Sequence, residues 1–249
     1  MFERETDLAI NAAKQAAEIL KYNFRAVKEI KRKADGSMVS NADIAAENQI
    51  IELIEENYHE YNIIGEESGE KNKGSDFTFI IDPLDGTHNY IAGIPYYGIS
   101  IGLLDREKPI MGVVLNPVTN ELFVAEKGNG AFLNGEQIHA SEINSLKESS
   151  IATVHYQKMP ELFLKIIPKT KKHRVMGSLV VDHCYVALGA HDSSIYNVHS
   201  SWDVAATKVI VEEAGGKLTD FKGNDFSLEI KNSVCSNGLL HNDLLDLLK

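Results

Sequence analysis

Residues Ile80–Leu104 read IIDPLDGTHNYIAGIPYYGISIGLL. A short run rich in β-branched and aromatic residues, beginning at Phe77, leads directly into two aspartates, Asp82 and Asp85, and then into a Gly86-Thr87 pair. Pro83 biases Asp82 toward extended backbone and has no N–H to give a ladder, so the spacing predicts a strand over Phe77–Asp82 that ends with its carboxylate at the sheet edge. Asp85 then turns back beside it. Two carboxylates this close repel and stay ionised together only if a cation neutralises them, and a hard divalent ion such as Mg²⁺ suits oxygen donors. Gly86 and Thr87 would open a short helix whose first N–H groups can meet the oxygens of a phosphate. Taken alone, the same letters also suit an ordinary turn, because Asp-Pro and Asp-Gly are common turn dipeptides and Asp caps helices.

Further strands are expected over Tyr97–Asp105 and Ile110–Asn116, both bounded by Gly, Pro or Asp, and the stretch Glu121–Ile138 continues as a hairpin with Gly128, Gly130 and Gly135 in its turns. The middle of the chain is therefore a largely antiparallel sheet. Two helices precede it. Leu8, Ala12, Ala16, Leu20, Phe24 and Val27 recur at helical spacing over Thr6–Val27, and Ala46, Ile50, Leu53, Ile54 and Tyr58 do so over Ala42–His59, with Ser40 or Asn41 as its N-cap. Beyond Ser149 the order is mixed: a strand at Ile151–His155, helices at Glu161–Ile167 and Ser178–Leu188, a strand at Ser194–Val198, and a helix at Val204–Ala214 that stops at Gly215-Gly216. Short strands and a terminal helix at Leu239–Leu248 complete a layered α/β chain that is not doubly wound. No repeat or linker interrupts it, so residues 1–249 read as one unit, with 1–140 and 141–249 as its two sets of layers.

The composition agrees with a soluble globular chain: 249 residues, 43% hydrophobic and 24% charged, enough to bury a core without staples. With 25 Lys+Arg against 36 Asp+Glu, the net charge of −11 argues against a general grip on nucleic-acid phosphates. The N-terminus MFERETDLAI has no basic-then-apolar leader pattern, and no stretch is apolar enough to span a membrane. Cys184 and Cys235 have neither zinc-site nor disulfide-framework spacing, which points to a cytoplasmic setting.

More acids stand at junctions of elements. Glu66 and Glu67 follow a short apolar run in NIIGEESGE, and Asp203 precedes a helix in SSWDVAA. Singly, Glu66 reads as a solvated loop charge and Asp203 as an N-cap; their joint occurrence with Asp82 and Asp85 is what points to a metal site. Cys184 beside His183 is not a thiol–imidazole pair, since adjacent residues on a helix point in different directions. His88 and His199 lie next to the acidic segments and can face a substrate or the surface.

These segments are similar to the Mg²⁺-dependent, lithium-sensitive inositol monophosphatase family, and the likeness spans nearly the whole chain. Its first signature resembles IDPLDGTHNYIAGIP, its second resembles WDVAATKVIVEEAGG at Trp202–Gly216, and GEES at Gly65–Ser68 and VSNAD at Val39–Asp43 resemble its other two active-site segments. The resemblance implies an α/β/α/β/α layered sandwich with a largely antiparallel first sheet and a smaller mixed second sheet, commonly a homodimer. It implies that Glu66, Asp82 and the Leu84 carbonyl hold one Mg²⁺, that Asp82, Asp85 and Asp203 hold a second, and that a third, weaker ion sits near Glu66. Phosphate would lean on Gly86 and Thr87, with the attacking water oriented by Glu66 and by a Thr87 hydroxyl paired with Asp43, the accessory base.

The resemblance also places the leaving group. Inositol-preferring members carry a glutamate seven residues before the Trp-Asp aspartate, where this chain has Tyr196, and their small-residue loop is similar to Gly177-Ser178-Leu179 with a bulkier third residue. The loop KADGSMVSNAD resembles relatives that hydrolyse histidinol phosphate or 3′-phosphoadenosine 5′-phosphate, whereas GTHNYIAGIP is closer to the inositol phosphatases. Lys171, Lys172, His173 and Arg174 can meet a second anionic group or simply face solvent. The expected activity is hydrolysis of small polyol or sugar monophosphates, inositol 1-phosphate or fructose 1,6-bisphosphate, with the other two esters as alternatives and a non-catalytic metal-binding relative as the reading from another class.

Overall fold

The computed structural model describes residues 2–26, 30–32, 38–153, 160–197 and 200–249. Two helices come first, α1 (Glu3–Asn23) and α2 (Asn41–Asn57), with the short strands β1 (Ile30–Arg32) and β2 (Met38–Ser40) paired between them. Alanine is the reason α1 sits so close to its neighbours: Ala9, Ala12, Ala13, Ala16 and Ala17 form a buried stripe at helical spacing, and α1 packs on α2 along it. The expected end of the first helix at Val27 lies outside the described residues, and α1 itself stops at Asn23.

Eight strands then form one sheet: β3 (Asn62–Gly65), β4 (Gly69–Lys71), β5 (Phe77–Asp85), β6 (Gly98–Asp105), β7 (Lys108–Asn116), β8 (Glu121–Glu126), β9 (Ala131–Leu133) and β10 (Glu136–Ile138), in the order β10-β9-β8-β7-β6-β5-β3-β4. Every pairing is antiparallel except β3 with β5. Side-chain alternation sorts the two faces. Ile99, Ile101 and Leu103 of β6 and Met111, Val113 and Leu115 of β7 join the core under α1 and α2. The opposite face is smaller: a Cβ at Gly112 would lie 2.1 Å from the Ala206 carbonyl, so α6 (Ala205–Glu213) lies directly on it.

A second, mixed sheet of five strands runs β12-β11-β13-β15-β14, built from β11 (Ser150–Thr153), β12 (Lys172–Arg174), β13 (Ser193–Asn197), β14 (Lys217–Thr219) and β15 (Asn232–Ser236). Helix α5 (Leu179–Ala187) and α6 fill the space between the sheets, sharing one core with Val114 and Phe123 of the first and Leu218 and Cys235 of the second. On the far side, α4 (Pro160–Ile166) and α7 (His241–Leu248) cover Ile151, Ile195 and Val234. The layers are therefore α/β/α/β/α, as the resemblance implied, with the antiparallel sheet the larger.

One expectation is corrected. The central strand does not end at Asp82; β5 continues through Pro83 to Asp85. The pairing with β6 steps from Asp82 opposite Ser100 to Asp85 opposite Gly98, so two residues of β5 face one of β6. The missing N–H of Pro83 falls inside that bulge, where no ladder bond is lost. The bulge re-aims the strand end and turns Asp85 across to α5.

Candidate active site

Parallel pairing of β3 with β5 aligns Gly65 with Ile81, and the Glu66 N–H donates to the Ile81 carbonyl at 3.2 Å. The next residues on the two strands are Glu66 and Asp82, which are thereby set side by side. Asp82 is buried, and one of its oxygens, Oδ1, accepts the Leu84 N–H at 2.9 Å. Its carboxyl is held well above the usual carboxylate range, first by burial and then by the charges of Glu66, Asp85 and Asp203. Asp203 ends a 3-10 turn, Ser201–Asp203, just before α6; Ser200 caps that turn, its N–H donating to Asp203 Oδ2 at 3.2 Å. Four acids from three segments thus lie near enough to the tip of β5 for the charges of Glu66, Asp85 and Asp203 all to act on Asp82.

Asp85 is tied to the next layer. Its Oδ2 accepts the Ser178 hydroxyl and, at 3.0 Å, the Val180 N–H at the start of α5, and the carboxyl is nonetheless raised to about 6, foremost by burial. Between Asp85 and the helix α3 (Thr87–Ala92), Gly86 takes φ +89°, and a Cβ there would press on the Tyr96 and Gly177 carbonyls at 3.2 and 3.3 Å. A glycine is needed on both counts. Asn89 of α3 donates to the Tyr96 and Met176 carbonyls, each at 2.8 Å, binding the loop that carries Gly177 to the loop that follows α3.

The expected pairing of Asp43 with Thr87 is present as a shared proton. Thr87 Oγ1 lies 3.3 Å from Asp43 Oδ1 and 2.9 Å from the Leu84 carbonyl. Ser40 is the N-cap of α2, and both its N–H and its hydroxyl donate to Asp43 Oδ2. Asp43 is buried, which lifts its carboxyl to about 6; the Ser40 bonds pull it down and Glu66 pushes it further up.

Tyr196, from β13, is buried. Its hydroxyl donates to Asp182 of α5, and the other oxygen of that carboxylate accepts the Tyr96 hydroxyl. Asp182 is raised to about 7, mainly by burial, and the two phenols hold it down. Gly177 is exposed, whereas Ser178 is buried against Asp85. His88 is exposed, Lys171 pairs with Glu148 at 2.5 Å, and Arg174 is exposed on β12, an edge strand of its sheet. His199 and the Asp-Gly-Ser at positions 35–37 lie outside the described residues.

The donor set at the tip of β5 consists of carboxylates and one main-chain carbonyl. It suits a hard divalent cation, which would relieve the mutual repulsion recorded in Asp82. Among the described residues these side chains do not draw three together into a finished cage.

Comparison with known proteins follows the same lines. The profile of the inositol monophosphatase family matches residues 2–249. The chain belongs to that family. It is 34% identical to an inositol monophosphatase of Mesembryanthemum crystallinum, covering 97% of this chain and 94% of that one, and 35% identical to a fructose-1,6-bisphosphatase/inositol-1-monophosphatase of Thermotoga maritima, covering 96% and 93%. Among solved structures, an IMPase from Thermotoga maritima superposes with a TM-score of 0.93 at 32% identity over 98% of this chain and 96% of the other. The family's members are phosphatases, phosphoric monoester hydrolases that act on small phosphorylated substrates and are generally metal-dependent. No helix among the described residues is long and apolar enough to cross a membrane.

Reading residues in order missed three participants in this family member. Glu47, Tyr96 and Asp182 sit within helical or apolar stretches and reveal themselves only through partners 14 to 86 positions away. An acid inside the otherwise apolar LVVDHCYVA of α5 was the one local sign.

Proposed function

We propose that the protein hydrolyses a small polyol or sugar phosphate monoester, inositol 1-phosphate or fructose 1,6-bisphosphate, at a Mg²⁺ site made by Glu66, Asp82, the Leu84 carbonyl, Asp85 and Asp203. The observation that carries this reading is the meeting of Glu66, Asp82, Asp85 and Asp203 around a buried strand tip beside Gly86 and Thr87. Bound there, two Mg²⁺ ions, with a third held more weakly near Glu66, would supply charge neutralisation for the phosphoryl oxygens and a water acidified toward neutral pH. Gly86 and Thr87 offer backbone N–H groups to the phosphate. Glu66 and the Thr87 hydroxyl orient the water, and Asp43, with its carboxyl near 6, takes up the proton through Thr87. No covalent enzyme intermediate is required.

The leaving group meets Gly177, Ser178 and Tyr196. Position 196 carries a phenol in place of the carboxylate of the inositol-preferring pattern, and its hydroxyl is spent on Asp182. That observation keeps histidinol phosphate and 3′-phosphoadenosine 5′-phosphate as the second reading. A non-catalytic, metal-binding regulatory relative is the third reading, and not every relative is named a phosphatase: that of Haemophilus influenzae, at 34% identity, is named Nus factor SuhB. The same proposal treats residues 1–249 as a single catalytic unit, with 1–140 supplying most metal ligands and 141–249 completing the pocket. It takes the protein as a homodimer, and as cytoplasmic in keeping with its two buried, unpaired cysteines.

The test is phosphate release from all four esters by purified protein, with and without Mg²⁺ and Li⁺. Mg²⁺-dependent release, inhibited by Li⁺ and greatest with the inositol or fructose ester, is expected. A preference for either other ester would move the substrate assignment, and silence on all four would sink the enzymatic reading. Sedimentation of the same sample reads the dimer.

A further inference from the structure

Glu47 lies one helical turn after Asp43, so both project from the same face of α2 toward the strand ends. A glutamate here is unexpected on composition grounds: it is 1% exposed, and carboxylates are rarely buried so completely unless paired. Its partners are backbone amides. The N–H of Glu67 donates to Oε2 at 2.9 Å and that of Ser68 to Oε1 at 2.6 Å, so both carboxylate oxygens grip consecutive amides of the turn between β3 and β4. Charge-assisted bonds of this kind are about twice as strong as neutral ones. The residue immediately before those amides is Glu66.

A second observation shows that the fit is tight. A Cβ at Gly65 would come within 2.9 Å of Glu47 Cδ and Oε1 and within 2.5 Å of Ser68 Oγ. No left-handed backbone angle is recorded at Gly65, so the glycine answers to space and not to conformation. Glu66 is therefore fixed on both sides. Its own N–H is bound to Ile81 of β5, and the amides after it are bound to Glu47.

From this geometry we infer that Glu47 is a positioning residue: it sets the Glu66 carboxylate against Asp82, and through Glu66 it sets the affinity of the site for a divalent cation. The inference rests on the metal-site reading given above. Loss of an outer partner of a metal ligand typically weakens metal binding about 10- to 100-fold. Glu47→Gln keeps one acceptor oxygen and turns an NH₂ toward a backbone donor, and Glu47→Ala removes both acceptors. The two should weaken binding in that order.

The experiment is isothermal titration of Mg²⁺ into metal-free wild type, Glu47→Gln, Glu47→Ala and Gly65→Ala, beside hydrogen exchange at the Glu67 and Ser68 amides and metal-free unfolding. Expected are a dissociation constant raised about 10-fold or more in Glu47→Gln and further in Glu47→Ala, faster exchange at both amides, and weakened binding in Gly65→Ala, which displaces the carboxylate without removing it. A glutamate that only supported the fold would lower the metal-free unfolding midpoint and leave the affinity of the folded protein unchanged. Wild-type affinity in folded Glu47→Gln and Glu47→Ala would overturn the inference while leaving the metal site standing. Absence of Mg²⁺ binding by the wild type would overturn both. Should the Glu47 variants fail to fold, unchanged affinity in Gly65→Ala decides against it.

Discussion

Two buried acidic centres neighbour one another in this fold, joined where Asp85 accepts the Val180 N–H two residues before Asp182, and they are built on opposite terms. At the tip of β5, Asp82 has one backbone donor, from Leu84, against the charges of Glu66, Asp85 and Asp203. Behind it, Asp182 has a phenol on each oxygen, from Tyr96 and Tyr196. Burial raises both carboxyls, but in Asp82 like charges add to it, and in Asp182 hydrogen bonds oppose it. A satisfied buried acid belongs to the fold. A crowded, under-donated one calls for a cation that the chain does not itself supply.

The contrast predicts opposite responses to the same chemical change. Asp82→Asn should abolish phosphate release, by about 1000-fold or more, since about 4 kcal/mol of transition-state stabilisation would go with the metal. Its metal-free stability should not fall, because a repelling charge has been removed. Asp182→Asn should do the reverse, lowering stability by about 1–3 kcal/mol as a phenol loses its acceptor, with activity falling far less than in Asp82→Asn. Urea unfolding and a phosphate assay on the two variants check both statements. Equal losses of activity would erase the distinction.

A smaller effect follows from pH. Asp182 has a folded-state value of about 7 against the ordinary 3.8, so between those values the folded protein holds a proton that the unfolded chain has released. Its contribution to stability therefore grows as pH falls through 7 and levels off near 4. The stability deficit of Asp182→Asn relative to wild type should widen from pH 8 to pH 5. The difference between the two proteins is the proper readout, because His183 and His241, buried neutral with values of about 3 and 4, act in the other direction: their contribution is present above 6.5 and lost as pH falls toward those values. A deficit that stays constant with pH would mean that Asp182 does not titrate in this range. At the metal site protons compete with the cation for Asp82, held well above the usual carboxylate range, and for Asp85, near 6, so Mg²⁺ affinity should weaken as pH falls through about 6, as titrations at two pH values would show.

The first of these centres was legible in the sequence and the second was not. Asp82, Asp85, Glu66 and Asp203 each read alone as a turn, loop or cap residue, and it is their joint occurrence at element junctions that points to a site. Helices α2, α5 and α6 and the strands of the larger sheet follow from periodicity to within a few residues, since one face of each is buried. What escaped depends on register. Pro83 reads as a strand end until β5 is seen to carry an extra residue there, two of its residues facing one of β6. Glu47 carries no local sign of its role, since its partners are the amides of the β3–β4 turn. Tyr196 reads as a pocket residue, but nothing in the local pattern shows that Asp182, 14 positions earlier, takes its hydroxyl. Local pattern shows which face of an element is buried, and only tertiary pairing shows what a buried polar group touches.

The most direct test is the Mg²⁺-induced shift in thermal unfolding of wild type, Asp82→Asn and Asp182→Asn at pH 7.5. Saturation at 100 times the dissociation constant stabilises a folded protein by about 2.7 kcal/mol, which for a chain of this size raises the midpoint by roughly 5–10 °C. Wild type and Asp182→Asn should both show that shift, and Asp82→Asn should show little or none. An undiminished shift in Asp82→Asn, or none in wild type, would contradict the assignment of the β5 tip as the metal site.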